Sequence, residues 1–365
     1  MQCNKMQCNK IIYNNFRCIE HAELEFSPGV NLFTGANAQG KTSALEGIFL
    51  FARGKSFRTA HDVEMIRFGE EAASVEAVCL AGGRTHLMRV AYSQTGKRLC
   101  RRNDIDIRRL SEFVGTFRAV LFCPHHLTMV SGGPSARRSF VDEAISQIKP
   151  AYLACLQRYY NILAQRNTLI KSRERDRGAF DETIEYWSEQ LAREGEAISR
   201  DRADYTSRLC VHADAFISDM TGGAERLTFT LRDPHTKEDL LKELTSNFDR
   251  ECRAGATLFG PHKDDVEISL SGRDARKYSS QGQQRSIALA MKLAEGEISR
   301  ELTGEAPVLA LDDVLSELDP ARRAYVIAGF KDRQIFLTTC ESLPALQGGD
   351  TRVFNVDRGR ISVQE

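Results

Sequence analysis

The chain has 365 residues and balances 50 Lys and Arg against 50 Asp and Glu, so its net charge is zero and any nucleic-acid binding must depend on local basic clusters. Ten cysteines without a C-x-x-C pair argue against a disulfide framework or a zinc site and are typical of reduced thiols. No apolar run approaches the roughly 20 residues of a membrane-crossing helix and no signal-peptide pattern opens the chain, so we expect a cytoplasmic protein without a membrane partner.

The N-terminal part alternates short apolar strand patterns with turns. Residues 1–5 recur as residues 6–10, which indicates an alternative start or a duplication, and we set residues 1–5 aside in predicting the fold. Gly82-Gly83 and the turn at residues 94–96 separate consecutive patterns, as in hairpins. We therefore predict an antiparallel sheet beside a nucleotide-binding one, with strands at residues 10–13, 22–26, 30–33, 74–80, 85–92 and 98–101.

A phosphate-binding loop lies between the third of these strands and a helix. Residues 35–42 match the P-loop pattern G-x-x-x-x-G-K-[ST] at every fixed position. The two glycines let backbone N–H groups face the phosphates, Lys41 reaches the terminal phosphates, and the Thr42 hydroxyl can coordinate Mg²⁺. We predict that Lys41 also acts in catalysis. The residues expected to hold ATP are Gly35, Asn37, Gly40, Lys41, Thr42 and Ser43.

The hydrophobic period becomes helical between about residues 135 and 216. Two near-heptad stripes there predict a short antiparallel helical hairpin, with its charged connection at residues 171–178. We assign residues 6–132 and 251–365 to the two parts of an ATPase head and residues 133–250 to an inserted, coiled-coil-like arm domain. The alternative, that these helices belong to the core of the main domain, stays open. The first stripe contains Leu153, Leu156, Tyr160, Leu163 and Ile170.

A second helix start suited to anions follows at residues 279–285, Ser-Ser-Gln-Gly-Gln-Gln-Arg. It combines a serine hydroxyl, a glycine and the positive end of a helix dipole. This segment resembles the signature motif of ATP-binding-cassette (ABC) ATPases. Since the P-loop of one chain already holds the phosphates, a second anion site makes sense if it meets the nucleotide of another copy. We predict an ATP-dependent head-to-tail homodimer, with Ser280, Gly282 and Gln283 on the partner's nucleotide.

Two carboxylates end an apolar strand near the C-terminus, at residues 308–313, as expected of a Walker B element. We assign Asp312 to Mg²⁺ and Asp313 to orienting the attacking water as a catalytic residue. Residues 316–319, Ser-Glu-Leu-Asp, match the D-loop of the same superfamily, which implies that Asp319 couples the two sites of a dimer. Asp313 has a shorter side chain than the Glu that ABC ATPases usually have at this position. Thr338 or Thr339 stands where these ATPases usually have a switch His, and either could contact the γ-phosphate. Because of both differences, we expect slow hydrolysis.

Five short sequence segments occur in the same order as in one family, so the resemblance is more specific than membership of the superfamily. The chain resembles the RecF family, bacterial recombination and gap-repair proteins of the structural-maintenance-of-chromosomes (SMC) and Rad50 class, over residues 15–361. The predicted fold is therefore α/β, an ABC-type P-loop ATPase head with an antiparallel β subdomain and an inserted short helical arm. The segments are residues 56–58 (Ser-Phe-Arg), 165–167 (Gln-Arg-Asn), 260–265 (Gly-Pro-His-Lys-Asp-Asp), 279–285 and 312–319.

The resemblance implies a function in DNA repair. It implies ATP-dependent dimerisation on DNA near junctions of single and double strands, weak DNA-stimulated ATP hydrolysis that acts as a switch, and work with RecO and RecR to load RecA. Two other hypotheses are the ATPase subunit of an ABC transporter and a non-catalytic scaffold that binds nucleotide only for shape. The signature sequence, the hairpin and the lack of a transmembrane segment argue against the transporter.

The sequence leaves the roles of two groups of residues open. His262 has even weight as a catalytic or a structural residue, because a lone His in a Pro-containing turn suits either role. DNA contacts are expected on basic clusters, because Lys and Arg on phosphates give sequence-independent affinity, although each cluster singly is more typical of a solvated surface. The clusters are Lys97, Arg98, Arg101 and Arg102, then Arg137 and Arg138, then Arg173, Arg175 and Arg177.

Overall fold

The computed structural model describes residues 4–172, 178–329, 332–341 and 350–364, which fold into layered α/β architecture. The strands are β1 (Asn4–Lys5), β2 (Gln7–Phe16), β3 (Ile19–Glu25), β4 (Val30–Thr34), β5 (Ala72–Ala81), β6 (Arg84–Ser93), β7 (Arg98–Arg102), β8 (Ile105–Ile107), β9 (Ala119–Phe122), β10 (Leu227–Leu231), β11 (Val266–Leu270), β12 (Arg273–Asp274), β13 (Glu305–Ala306), β14 (Val308–Asp312), β15 (Ile335–Thr339), β16 (Thr351–Asp357) and β17 (Arg360–Val363).

The helices surround these strands and connect them. They are α1 (Lys41–Arg53), α2 (Leu110–Phe113), α3 (Thr128–Ser131), α4 (Pro134–Ile148), α5 (Pro150–Ser172), α6 (Gly178–Thr221), α7 (Lys237–Ser246), α8 (Phe248–Ala254), α9 (Ala275–Tyr278), α10 (Gln281–Thr303) and α11 (Pro320–Ala328). Over the part of the chain that the structure describes, none of the helices has the length and apolarity needed to cross a membrane.

The nucleotide-binding sheet has the strand order β17-β16-β4-β15-β14-β9, and every neighbouring pair is parallel except β16 and β17. All five residues of β14 are buried, as in a parallel sheet covered on both faces. Leu309 and Leu311 pack toward α4, α5, α6 and α10, whereas Val308 and Ala310 pack toward α1 and the second sheet. The period of two along the strand thus separates two hydrophobic cores.

The second sheet is antiparallel, with the order β3-β2-β5-β6-β7-β8, and confirms the strands predicted there. Gly82 and Gly83 connect β5 to β6 with φ values of +57° and +70°, a two-residue turn that favours glycine. Our decision to leave out residues 1–5 was wrong for the last two of them. Asn4 and Lys5 form β1, which pairs in parallel with β13.

Helices α5 and α6 form the predicted antiparallel hairpin. Arg158 pairs with Glu194 at 2.8 Å, and the Arg166 guanidinium donates to the Ser188 hydroxyl at 3.0 Å. Of the predicted connection at residues 171–178, residues 173–177 lie outside the described residues. The C-terminal half of α6 packs on α10, and Tyr205 and Leu209 belong to the same buried cluster as the nucleotide-binding sheet.

The first predicted stripe was partly wrong. Leu156 is only partly buried and Tyr160 is 43% exposed, because the buried face of α5 is offset by one residue. Two tyrosines on that face donate their hydroxyls to internal acceptors, Tyr152 to Asp142 at 2.5 Å and Tyr159 to His262 at 2.8 Å. The observed buried positions are Tyr152, Cys155, Tyr159, Leu163, Arg166 and Ile170.

Candidate nucleotide-binding site

The P-loop turns sharply between β4 and α1, and two of its positions require glycine. Gly35 has φ +150°, and a Cβ there would lie 2.3 Å from the carbonyl oxygen of Val356. Gly40 has φ +113° and precedes the first residue of α1. L-residues with side chains rarely adopt such values. The loop is therefore held in a conformation that presents backbone N–H groups at a helix N-terminus, where anions bind.

Lys41 lies inside this loop and is 6% exposed. Its ammonium donates to the carbonyl oxygens of Gly35 at 2.7 Å and Ala36 at 2.8 Å, and lies 3.1 Å from the Cys340 sulfur. These bonds hold the cation at the phosphate-binding loop. Asn37 lies on the same loop, where its side-chain oxygen accepts from the Cys340 thiol at 2.8 Å. Ser43 is buried in the first turn of α1.

The Walker B carboxylate Asp312 lies against the P-loop residue Thr42. The Thr42 hydroxyl lies 2.9 Å from one Asp312 oxygen and 3.0 Å from the other. Burial raises the pKa of Asp312, and the hydrogen bonds from the Thr338 and Thr42 hydroxyls oppose that rise. A hydroxyl beside a carboxylate is an all-oxygen donor set, which fits Mg²⁺. We infer that Thr42 and Asp312 would hold the ion there.

The Thr338 hydroxyl bridges the Asp312 carboxylate and the backbone of Asp313. It donates to Asp312 at 2.8 Å and accepts from the backbone N–H of Asp313 at 2.9 Å. The two residues Asp312 and Thr338 are direct neighbours in the parallel register of β14 and β15. Thr339 is buried and bonds with the backbone of Glu341. Sequence reasoning had considered both threonines only as phosphate contacts.

A cavity of about 300 Å³ joins these elements. Cys18 and Arg58 line it from outside the P-loop and the Walker B strand, and neither was among the predicted site residues. Arg58 is half-exposed and lies 3.4 Å from Glu46, a fully buried carboxylate on α1 that also pairs with Arg17. The family-typical segment at residues 56–58 was the sequence feature that could have identified Arg58 as a site residue. The cavity lining consists of Cys18, Asn37, Ala38, Gly40, Lys41, Thr42, Ser43, Arg58, Asp312, Asp313 and Thr338.

The signature motif begins α10 and lies outside that cavity. Ser280 caps the helix by accepting from the Gln283 N–H at 3.2 Å, while the Gln283 side chain accepts from the Ser280 N–H at 2.8 Å. Gly282 faces open space, since a Cβ there would find only the Ser280 hydroxyl, at 4.0 Å. None of Ser280, Gly282 and Gln283 lines the cavity. This chain alone therefore gives no steric reason for a glycine at position 282.

The D-loop follows the Walker B strand and begins α11. Asp319 caps that helix by accepting from the Arg322 N–H at 3.0 Å, and it also pairs with the Arg322 guanidinium. Within one chain its carboxylate is exposed and outside the cavity. The Ser316 hydroxyl donates to the carbonyl oxygen of Asp313 at 2.9 Å. The loop is thus tied directly to the backbone of Asp313, the second Walker B acid.

His262 has the geometry of a structural residue. Its Nδ1 accepts from the Tyr159 hydroxyl at 2.8 Å, and its Nε2 donates to the carbonyl oxygen of Thr257 at 3.1 Å. Burial lowers the pKa of His262 to about 4, so the ring is neutral at pH 7. It does not line the nucleotide cavity. Of the two readings left open, the geometry favours the structural one.

We expect His262→Gln to weaken the pH dependence of stability. As pH falls from about 6.5 to about 4, an unfolded His262 takes up a proton that the folded one rejects, so the folded state loses stability in this window. Across this pH window, the free energy of unfolding of the parent chain minus that of the variant should fall by on the order of 3 kcal/mol. Urea unfolding at a series of pH values measures this. His61→Gln, at an exposed histidine, is the control, and an unchanged difference across the window contradicts the prediction.

Several described arginines of the predicted basic clusters bond with groups of the same chain. Arg137 is buried and bidentate on Asp265, at 2.7 and 2.9 Å, so its assignment to DNA was wrong. Arg101 pairs with Asp106 on β8, whereas Arg102 donates to Thr116 at 2.7 Å. Neighbouring residues of β7 point to opposite faces, which divides that cluster. Arg173, Arg175 and Arg177 lie outside the described residues.

Comparisons with known proteins agree with this geometry. A family model described as an AAA domain matches residues 10–251. The chain is 39% identical to the DNA replication and repair protein RecF of Listeria welshimeri, over 92% of this chain and 93% of that protein. It is 37% identical to the protein of the same name from Ligilactobacillus salivarius, over 98% of this chain and 97% of that protein.

Solved structures show the same fold. The structure described as the recombination mediator protein RecF-ATPrS in the RecFOR pathway matches with a TM-score of 0.92 and 33% identity, over 100% of both chains. Its counterpart described as RecF-ATP also has a TM-score of 0.92. The Smc head domain of Pyrococcus furiosus matches with a TM-score of 0.58 and 16% identity, which concerns the fold alone. The predicted α/β ATPase head with its antiparallel subdomain and helical arm is confirmed.

Proposed function

The chain belongs to the RecF family of DNA replication and repair proteins, and we propose that it is an ATP-dependent DNA-binding protein of recombinational and gap repair. One observation supports this most strongly. The P-loop and Walker B element share one cavity, whereas the exposed signature motif of the same chain lies outside it. A complete site therefore needs a second copy, so ATP can control assembly.

The proposed dimer is head-to-tail. The start of α10 offers a hydroxyl, free N–H groups and the positive end of a 23-residue helix, which together suit a phosphate. The absence of a side chain at Gly282 leaves room for close approach. We infer that Ser280, Gly282 and Gln283 contact the γ-phosphate held at the partner's P-loop, and that Asp319 couples the two sites.

Hydrolysis would use the residues already placed around the cavity. Lys41 binds the terminal phosphates, Thr42 and Asp312 hold Mg²⁺, and Asp313 orients the attacking water. Bound Mg²⁺ would neutralise charge on the β- and γ-phosphates. Asp313 lies within reach of Ser316, whose hydroxyl is 3.3 Å from its carboxylate, and its short side chain suits slow turnover. A weak, DNA-stimulated ATPase would then act as a switch.

The DNA and protein partners follow from the family. We propose that the ATP-bound dimer clamps DNA near junctions of single and double strands, that it helps RecO and RecR to load RecA, and that hydrolysis resets it. The related structures described as belonging to the RecFOR pathway support these partners. The transporter alternative is not favoured, because the full-length relatives are DNA replication and repair proteins.

Gly282→Arg tests the dimer. Within one chain the new side chain enters open space, so we expect normal folding and ATP binding. In the dimer it would occupy the space of the partner's nucleotide, and we expect a loss of at least about 10-fold in ATP-dependent dimer affinity, which is roughly 1.4 kcal/mol. ATP-dependent retention on gapped DNA and DNA-stimulated hydrolysis should fall with it. Analytical ultracentrifugation with and without ATP measures the dimer.

Gly133→Arg is the matched control, because Gly133, the N-cap of α4, also lies at a helix N-terminus and faces open space. This variant should dimerise like the parent chain. A Gly282→Arg protein that dimerises normally with ATP would overturn the head-to-tail arrangement. A parent chain that binds ATP without any effect on dimerisation or on gapped-DNA retention would overturn the proposed switch.

A further inference from the structure

Two exposed thiols flank the P-loop from different elements. Cys18 lies in the turn between β2 and β3, and Cys340 follows β15 directly. Among the described cysteines, these two are the exposed ones. The others are buried or partly buried: Cys8, Cys79, Cys100, Cys123, Cys155, Cys210 and Cys252. The accessible thiols of the described chain are thus concentrated at the nucleotide site.

Both sulfurs contact the residues that form the phosphate cradle. The Cys340 sulfur lies 3.1 Å from the Lys41 ammonium and 2.8 Å from the Asn37 oxygen. The Cys18 sulfur lies 3.8 Å from the Ser43 hydroxyl, and a Cβ added to Gly40 would lie 2.7 Å from it. A group attached to either sulfur would therefore enter the space that the P-loop needs for phosphates.

The chemistry of the site selects the modifying reagent. Thiol–disulfide exchange needs an accessible sulfur, which the buried cysteines lack. Burial also raises the pKa of Cys123 to about 11 and of Cys155 to about 12, so those thiols are inert near neutral pH. The cradle attracts anions through Lys41 and the start of α1. Glutathione disulfide carries carboxylates, so the same field that binds ATP would bring it to these two sulfurs.

We propose that Cys18 and Cys340 form a modification site for anionic low-molecular-weight disulfides such as glutathione disulfide, and that a mixed disulfide there excludes ATP. The cysteine sulfur bonds to one glutathione sulfur, the glutathione S–S bond breaks, and the released glutathione takes the proton of the cysteine thiol. The cysteine is oxidised and half of the disulfide is reduced. A thiol reductant reverses the step. The inference rests on the proposed ATP binding at the P-loop.

The test treats the full chain with glutathione disulfide, maps adducts by mass spectrometry and measures binding of a fluorescent ATP analogue. Each protein is compared with its own untreated sample. We expect the parent chain to lose at least 10-fold in affinity, to regain it with dithiothreitol, and to be protected when ATP is bound first. After the same treatment, the Cys18→Ser/Cys340→Ser double variant should bind the analogue with the affinity of its untreated sample. The two single variants show which of the two thiols causes the loss.

The outcomes separate this inference from the proposed function. If the untreated chain binds no nucleotide, the proposed function fails. If the untreated chain binds nucleotide and the adduct at Cys18 or Cys340 leaves that affinity unchanged, the thiol inference fails alone. It fails equally if the double variant loses affinity as the parent chain does. Cys100→Ser, at a partly buried cysteine on β7, is the control and should respond like the parent chain.

Discussion

Lys41→Met is expected to reduce ATP affinity by at least about 100-fold and to abolish ATP-dependent dimerisation. The Lys41 ammonium already points into the P-loop, where it donates to the carbonyl oxygens of Gly35 and Ala36. Bound phosphates would accept these hydrogen bonds. Hydrogen bonds to charged groups contribute about 1.5–3 kcal/mol each, and the loss of one or two of them accounts for a factor of roughly 100. Equilibrium binding of a fluorescent ATP analogue measures the effect.

Lys55→Met is the matched control. Lys55 lies just beyond the C-terminal end of α1, is exposed and does not line the nucleotide cavity, so its replacement removes an equal charge at a distance from the P-loop. We expect the control to bind ATP like the parent chain. Circular dichroism should show that both variants fold. A Lys41→Met protein with parental ATP affinity would show that the nucleotide does not use this loop.

Arg202→Ala is expected to lower the free energy of unfolding by about 3–5 kcal/mol, the usual cost of leaving a buried ion pair without one partner. Arg202 on α6 is 1% exposed. Its guanidinium bonds with Asp142 at 2.9 and 3.0 Å, with Asp264 at 2.9 Å and with the carbonyl oxygen of Pro261 at 2.6 Å. The substitution strands two carboxylates in the interior and opens a cavity, so the connection between α4, α6 and the turn at residues 260–265 should weaken.

Urea unfolding followed by circular dichroism measures the change. Arg200→Ala provides the comparison on the same helix, because the Arg200 side chain is 71% exposed and its 3.8 Å contact with Asp201 is a surface pair. Surface pairs contribute about 0–1 kcal/mol, so that variant should unfold nearly as the parent chain does. Equal stability of the two variants would show that the buried cluster around Arg202 contributes little.

The nucleotide site was predictable where its chemistry is local. The P-loop needs two glycines, a lysine and a hydroxyl at set spacing, and Gly35, Gly40, Lys41 and Thr42 occupy these positions in the structure. The Walker B element also carries its own signal, an apolar strand that ends in carboxylates. In the structure Asp312 meets Thr42 because β4 and β14 belong to one parallel sheet, and the carboxyl ends of parallel strands share one edge.

Other assignments failed because they depend on partners far along the chain. Arg137 looked like a cation available to DNA, but it pairs with Asp265, which is 128 residues away. The stripe on α5 was misplaced because Tyr152 and Tyr159 are buried, and their hydroxyls find acceptors in Asp142 and, 103 residues away, His262. Composition and periodicity contain no information about such pairs.

The sequence by itself determined that this chain has a P-loop and an ATPase head with a helical hairpin, because backbone turns, helix caps and hydrophobic periods are properties of neighbouring residues. Only the tertiary structure decided which polar groups are free. It placed Thr338 on Asp312 and Asp313, and it brought Cys18, Arg58 and Cys340 to the P-loop. The physical reason is that burial and hydrogen bonding, which set the reactivity of a side chain, depend on residues that are distant in the chain and adjacent only in the fold.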